Sequence, residues 1–279
     1  MHRGERVAAA ALAAALLPGG QADAAERTLR VCADPNNLPF SNEAEEGFEN
    51  ALAELIAAEL GADVEYTWWA QRRGFIRNTL NAGDCDVVMG VPAGYELVAT
   101  TRPYYRSTYV FVYRAELAPP LVRIDDPRLA ELDIGVHLIG DDGANTPPVH
   151  ALGQLGIVDN VEGFMIYGDY REPNPPARPI EAVARGELDV AAVWGPVGGY
   201  FARAAHPPLE VQPIAPAPDI APYPFDFAIA LGVRKDDRAL RDELDAVLER
   251  RAADVEALLR SFGVPLVPIE AGKQEEGES

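Results

Sequence analysis

The chain has 279 residues, 44 of them acidic and 24 basic, for a formal net charge of −20 at neutral pH. A surface this negative repels phosphate backbones and anionic lipid, which argues against nucleic-acid and acidic-membrane partners. It favours cations and basic protein surfaces, a tendency that salt screens.

The N-terminus reads as an export signal. His2, Arg3 and Arg6 form a basic start, and the apolar run over 7–17 is too short to span a bilayer. Pro18-Gly19-Gly20 breaks that run, and Ala22-Asp23-Ala24 supplies the small-x-small pattern of a cleavage site. The expected signal peptide is 1–24, and the expected location is the periplasm. No later segment is apolar enough for a membrane span.

Beyond residue 24, apolar runs alternate with helical patterns, the sign of an α/β architecture. A first strand is predicted over 28–33, followed by a Pro- and Asn-rich loop. Leu52, Leu55, Ile56 and Leu60 recur at helical spacing, and Gly61 ends that helix. A strand follows over 64–68. Phe75, Ile76, Thr79 and Leu80 mark a helix closed by Gly83, and a third strand covers 87–91. Cysteine occurs only at 32 and 85. An even pair in an exported chain points to one disulfide, and this order puts both residues on or beside neighbouring strands. The alternative is two separate buried thiols.

A second series begins near Asp133. Strands are predicted over 134–138, 161–167, 190–194 and 211–214, with helices around 149–155, 180–185 and 199–205. Both series contain a helix closed by Gly (83 and 186), then x-x-Asp, then a buried strand running into a Gly/Pro turn. A Pro- and Ala-rich stretch over 213–224 leads to a strand over 225–233 and one long helix over 236–259. The chain thus builds one lobe, crosses near 110–114, builds a second, and returns near 222–226. The expected divisions are lobe one over 25–112 and 223–270, lobe two over 113–222, and a disordered tail over 271–279.

Catalytic constellations are missing. There is no nucleophile elbow, P-loop or Rossmann fingerprint, and no His/Cys metal spacing. His137 and His150 are isolated and fit a polar surface or cleft wall. Asp125-Asp126 reads as a solvated loop. Asp141-Asp142-Gly143-Ala144-Asn145 reads as the cap of a following helix rather than a cation loop.

Three clusters are placed where ligands sit in open α/β sheets, beyond the carboxyl ends of strands. One is Asp34, Asn36, Asn37 and Phe40. The second is Trp69, Gln71, Arg72 and Arg73, a Trp/Arg pairing typical of interaction hot spots. The third is Trp194. Tyr104 joins them in the expected ligand or partner cleft.

Several segments carry a family resemblance. They are Val31-Cys32-Ala33-Asp34, Leu38-Pro39-Phe40-Ser41-Asn42, Trp69-Ala70-Gln71-Arg72-Arg73-Gly74-Phe75, Cys85-Asp86-Val87-Val88-Met89-Gly90 and Thr100-Thr101-Arg102-Pro103-Tyr104-Tyr105-Arg106-Ser107. Gly168-Asp169-Tyr170 and Val193-Trp194-Gly195-Pro196 belong with them. The chain resembles the quinoprotein-dehydrogenase-associated, solute-binding-like proteins, which include the J proteins of the methanol oxidation system. That resemblance implies a two-lobed α/β fold of the type II periplasmic solute-binding kind. It also implies a non-catalytic accessory role in assembling or activating a periplasmic quinoprotein alcohol dehydrogenase. The chain would hold no cofactor of its own; the partner would carry pyrroloquinoline quinone (PQQ) and a metal ion, and its cytochrome c is a further expected partner. The alternative is a solute receptor of an ABC importer. Amino-acid receptors of that kind grip a zwitterion with an arginine and an aspartate. Here the matching places are Pro92-Ala93-Gly94-Tyr95-Glu96, without arginine, and Trp194.

Overall fold

The computed structural model describes residues 27–140, 145–166, 170–217, 220 and 223–269. The expected signal peptide, the polar tail and most of the 141–145 turn lie outside the described residues. The first elements are β1 (Arg27–Ala33), β2 (Asn36–Asn37), β3 (Ser41–Asn42), α1 (Phe48–Leu60), β4 (Ala62–Trp68), α2 (Phe75–Asn78), β5 (Val87–Pro92), β6 (Ala99–Thr100) and β7 (Tyr105–Tyr113). Next come β8 (Ile134–Leu138), α3 (Pro147–Gln154), β9 (Val161–Met165), α4 (Arg178–Arg185), β10 (Val190–Trp194) and α5 (Gly195–Ala204). The chain closes with β11 (Glu210–Pro213), β12 (Asp226–Val233), α6 (Arg238–Arg250) and α7 (Ala252–Ser261).

The main sheet runs β4-β1-β5-β12-β7-β10-β8-β9. In one lobe β1 is parallel to both β4 and β5; in the other β8 is parallel to both β9 and β10. Two long antiparallel strands join the lobes. The first half of β7 pairs with β12 through Tyr105–Thr108, and its second half pairs with β10 through Tyr109–Tyr113. Its sequence explains this position. Tyr-Val-Phe-Val-Tyr is β-branched and aromatic at every step, and all five residues are buried, as a strand covered on both faces requires. The chain therefore changes lobe at Thr108–Tyr109, slightly before the predicted crossing.

Each lobe has its own core. Phe48, Leu52 and Ile56 of α1 pack with Val31, Met89 and Leu231 in lobe one, and α6 and α7 add Leu244, Val247 and Leu259. Lobe two buries both faces of its sheet, with Phe111, Ile134 and Leu152 on one side and Val112, Ile180 and Val193 on the other. Truncating a fully buried phenylalanine such as Phe111 to alanine costs about 3–5 kcal/mol.

Three predicted elements differ. The helix expected to close at Gly83 is the single turn α2, and residues 79–83 are turns. The single helix expected over 236–259 is two helices, broken at Arg251 (φ −105°, ψ 16°). The break lets Arg251 reach Glu59 of α1 and Asp254. The expected turn at Gly195-Pro196 is instead the first turn of α5, where proline is favourable because its missing N–H would be unpaired anyway. Gly195 is required there, because a Cβ would stand 2.4 Å from the Thr108 carbonyl oxygen. Gly199, further along α5, touches the backbone of Gly263 after α7, where a Cβ would stand 2.0 Å from the carbonyl oxygen. This contact clasps the lobes on the hinge side, and the Ser107 hydroxyl, which donates to the Pro265 carbonyl at 2.6 Å, anchors the segment after α7 to β7 within lobe one.

Cys32 in β1 and Cys85, two residues before β5, form a disulfide with Cα atoms 5.5 Å apart. Phe75, Ile76, Leu80, Val88, Val91 and Val98 surround it as a small separate core. Asp86, beside it, accepts from Arg30 and Arg234, and Arg234 also donates to the Cys85 carbonyl at 2.6 Å. Burial opposes ionisation of Asp86, but the two guanidiniums outweigh it and hold its carboxyl below the usual range.

Candidate functional site

The six parallel strands of the two lobes all end at one place. Asp34 follows β1, Gln71 follows β4, Pro92 ends β5, Ile139 follows β8, Ile166 follows β9 and Trp194 ends β10. All six residues line one cavity of about 380 Å³ between the lobes. Tyr109 of β7 and Phe227 and Ile229 of β12 complete its apolar wall. This is the crevice where open α/β sheets bind ligands.

The structure brings together Asp34, Asn36, Asn37, Phe40, Gln71 and Trp194 in that lining. Trp194 lies between the lobes, edge-on to Tyr109 (5.3 Å) and Phe227 (5.9 Å), and packs against the cores of both. Asp34 is only 3% exposed. Its carboxylate accepts from the Asn36 N–H (2.8 Å), the Gln71 N–H (2.6 Å) and, across the cleft, the Tyr170 hydroxyl (2.6 Å). Asn36 adds two more bonds across the cleft, donating to the Glu172 carbonyl and accepting from the Asn174 N–H. The segment 170–174 of lobe two is thus latched onto the loop after β1.

Trp69, Arg72, Arg73 and Tyr104 do not line this cavity. Trp68 stacks on Tyr66 at 4.6 Å, and the alternation of the strand leaves Trp69 outward and 44% exposed. Arg72 sits on the rim, 5.8 Å from the centre of the Tyr170 ring, and Arg73 is exposed beside it. Tyr104 turns its hydroxyl to the Met89 carbonyl at 2.9 Å, and the tyrosine lines a different groove, on the α6–α7 side of lobe one.

The sequence reading did not assign Tyr170, Tyr109, Pro175 or Pro176 to the cleft. Tyr170 stands in a segment already quoted for its resemblance, and its position three residues past the predicted 161–167 strand was the available signal. His137, read as surface or cleft wall, is instead 1% exposed in β8. Its Nε2 donates to the Pro176 carbonyl at 2.9 Å, fixing the tight turn at Pro175–Ala177 that forms part of the wall. Burial lowers its pKa to about 4, which the Pro176 contact only partly opposes. Asp126 caps the turn at Pro127–Ala130 and pairs with Arg128, and Asp125 pairs with Arg123, so both acids have structural partners. Thr146, not the preceding acidic turn, occupies the cap position of α3. Among the described residues no group of three His, Cys, Asp or Glu side chains is placed to hold a metal ion, and no helix is long and apolar enough to cross a membrane.

One acid was missed altogether. Glu49, in the first turn of α1, lies against Gly90, where a Cβ would stand 2.3 Å from Oε1. Burial and the nearby charge of Asp34 push its carboxyl up to about 8. Between pH 4.5 and 8 the folded chain keeps a proton that the unfolded chain releases. The associated stability is complete below pH 4.5 and is lost as pH rises through about 8. Glu49→Gln removes that loss. Thermal melts at pH 8.5 should show the variant more stable by about 1–2 kcal/mol, since it buries no charge. Equal melting at pH 8.5 would contradict the burial of this acid.

The family model for bacterial extracellular solute-binding proteins, family 3, matches residues 29–262. The chain is 34% identical to protein MoxJ of Methylorubrum extorquens over 253 residues, covering 87% of this chain and 82% of MoxJ. Protein MoxJ of Paracoccus denitrificans is 29% identical over 277 residues, covering 92% of this chain and 95% of that protein. Among solved structures, the periplasmic binding protein XoxJ from Methylobacterium extorquens AM1 matches with a TM-score of 0.71 and 36% identity, over 86% of this chain and 100% of XoxJ. A cleft between two lobes, faced by the carboxyl ends of six parallel strands, is the arrangement these matches predict, and the chain belongs to the bacterial extracellular solute-binding proteins of family 3, alongside the MoxJ proteins.

Proposed function

We propose that this chain is a periplasmic, non-catalytic accessory protein that assembles or activates a PQQ-dependent alcohol dehydrogenase of methanol oxidation. Its interlobe cleft receives a segment of that partner. The observation that carries the reading is the chemistry of the cleft: among its described lining residues there is no lysine, arginine or histidine, and a tryptophan stands at the end of β10. A free amino acid would bury its carboxylate there without a cation, at a cost of several kcal/mol. Similarity to MoxJ supports the link to methanol oxidation. PQQ and the metal ion belong to the partner, whose cytochrome c is a second candidate contact. The rival reading, a receptor for an importer, is favoured by the ligand-sized cavity itself.

A strain lacking this chain tests the proposal. Active dehydrogenase in its periplasm should fall severalfold and return with the wild-type gene. Unchanged activity would overturn the accessory role. The exposed Trp69 and the rim arginines form the proposed contact face, since Trp and Arg concentrate binding energy at interfaces. Arg72→Ala with Arg73→Ala should leave secretion and thermal stability unchanged and lose dehydrogenase activation. Full activation by the double variant would remove this face from the interface.

A further inference from the structure

We infer that the cleft recognises an uncharged stretch of extended peptide, with one large apolar side chain in the cavity and that residue's N–H and C=O on Gln71 and Asn37. The inference rests on the reading that a partner segment enters the cleft, and it names the chemistry of that segment.

The polar groups of the cleft divide into those already used and those left over. The Asp34 carboxylate accepts three hydrogen bonds, and both ends of the Asn36 amide are bonded across the cleft. These groups hold the lobes together and have little left to offer a ligand. Asn37 and Gln71 differ. The Asn37 amide donates to Gln71 Oε1 at 3.1 Å. Among the hydrogen bonds of the described residues that bond uses neither Asn37 Oδ1, an acceptor, nor the N–H groups of Gln71 Nε2, donors, and both side chains line the cavity. Exchanging the oxygen and nitrogen of both amides leaves the same pair, one donor and one acceptor.

A neighbouring donor and acceptor match a single extended residue, whose own N–H and C=O point to the same side of a strand. Pairing of this kind supplies affinity through the main chain while a pocket selects the side chain. The pocket here is apolar, walled by Phe40, Tyr109, Trp194, Val197, Phe227 and Ile229. At about 380 Å³ it is near the small end of ligand pockets, which run roughly 300–1,000 Å³. A helix, about 10–12 Å across with its side chains, does not fit. One aromatic or leucine-sized side chain with its backbone does. The missing cation excludes a free carboxylate, so the residue is internal to a chain rather than its C-terminus.

Calorimetry with N-acetyl-L-phenylalanine N-methylamide tests this directly. The capped residue should bind at least tenfold tighter than toluene, which lacks the amide, and tighter by the same margin than N-acetylglycine N-methylamide, which lacks the side chain. L-Phenylalanine should give no heat. Asn37→Ala with Gln71→Ala, confirmed as folded by an unchanged melting temperature, should weaken the capped residue at least tenfold. Binding of L-phenylalanine as tight as the capped form, binding that ignores the double variant, or no binding of the capped form each overturns the inference. The accessory role fails separately. If the capped residue does not bind but deletion of the chain still abolishes dehydrogenase activity, only the ligand class is wrong. If it binds and deletion has no effect, the ligand class stands and the partner is wrong.

Discussion

Replacing Cys32 and Cys85 together by alanine is expected to cost about 2–4 kcal/mol of stability. The two residues are 53 positions apart, so the bond closes a long loop, and closing it removes chain entropy from the unfolded state. The enclosed segment needs that constraint. Between β4 and β5 the regular structure is a single helical turn, α2, and the rest of 69–86 is turns. That turn region is held by the small core around the disulfide and by the bonds of Arg30 and Arg234 to residues 83–86. For a chain of this size the loss corresponds to about 2–4 °C per kcal/mol. Calorimetric melts of the two proteins, and of the wild type with and without reductant, measure it. A double variant that melts with the wild type would mean that the bond carries no stability. Two free thiols in protein taken from the periplasm would mean that it does not form there.

Acid should weaken the fold through His137. Its folded pKa, lowered to about 4 by burial, lies below the unfolded value near 6.5. Between those limits the unfolded chain takes up a proton that the folded chain refuses. The stability involved is present above pH 6.5 and lost as pH falls through about 4, a total of about 3 kcal/mol. Glu49 acts in the opposite direction over an overlapping range, so the wild-type profile alone conceals the slope. The comparison that isolates it is wild type against His137→Gln, which keeps a donor for the Pro176 carbonyl and cannot titrate. The stability difference between them should shift by about 3 kcal/mol against the wild type from pH 7 to pH 4. A difference that stays constant with pH would place His137 in contact with solvent.

The sequence spoke most clearly where one physical rule decided the outcome. Strands β5 and β10 are apolar runs buried along most of their length, and burial on both faces leaves them no other use. Asp34, Gln71 and Trp194 were accessible by one further rule, that ligands meet the carboxyl ends of strands. The failures share a cause. Trp68 and Trp69 are adjacent, and sequence alone does not say which faces out; stacking on Tyr66 decides it. Tyr104 follows the same pattern: its hydroxyl turns to the Met89 carbonyl and its ring meets Tyr105 of β7 edge-on at 4.9 Å. Glu49 carried no signal, since an acid in the first turn of a helix is expected on helix-dipole grounds alone. Only the approach of Gly90, from a strand 41 residues away, makes it a half-buried group with its carboxyl packed against backbone. Tyr170 was likewise invisible as a latch, because its partner Asp34 is 136 positions distant.

The most direct measurement is recovery of this chain from its native periplasm under gentle conditions, followed by identification of what accompanies it. The account predicts that a quinoprotein alcohol dehydrogenase comes with the wild-type protein and is lost when Arg72 and Arg73 are both alanine. Recovery of a tightly held small solute, with no dehydrogenase, would contradict it and identify the chain as an importer's receptor.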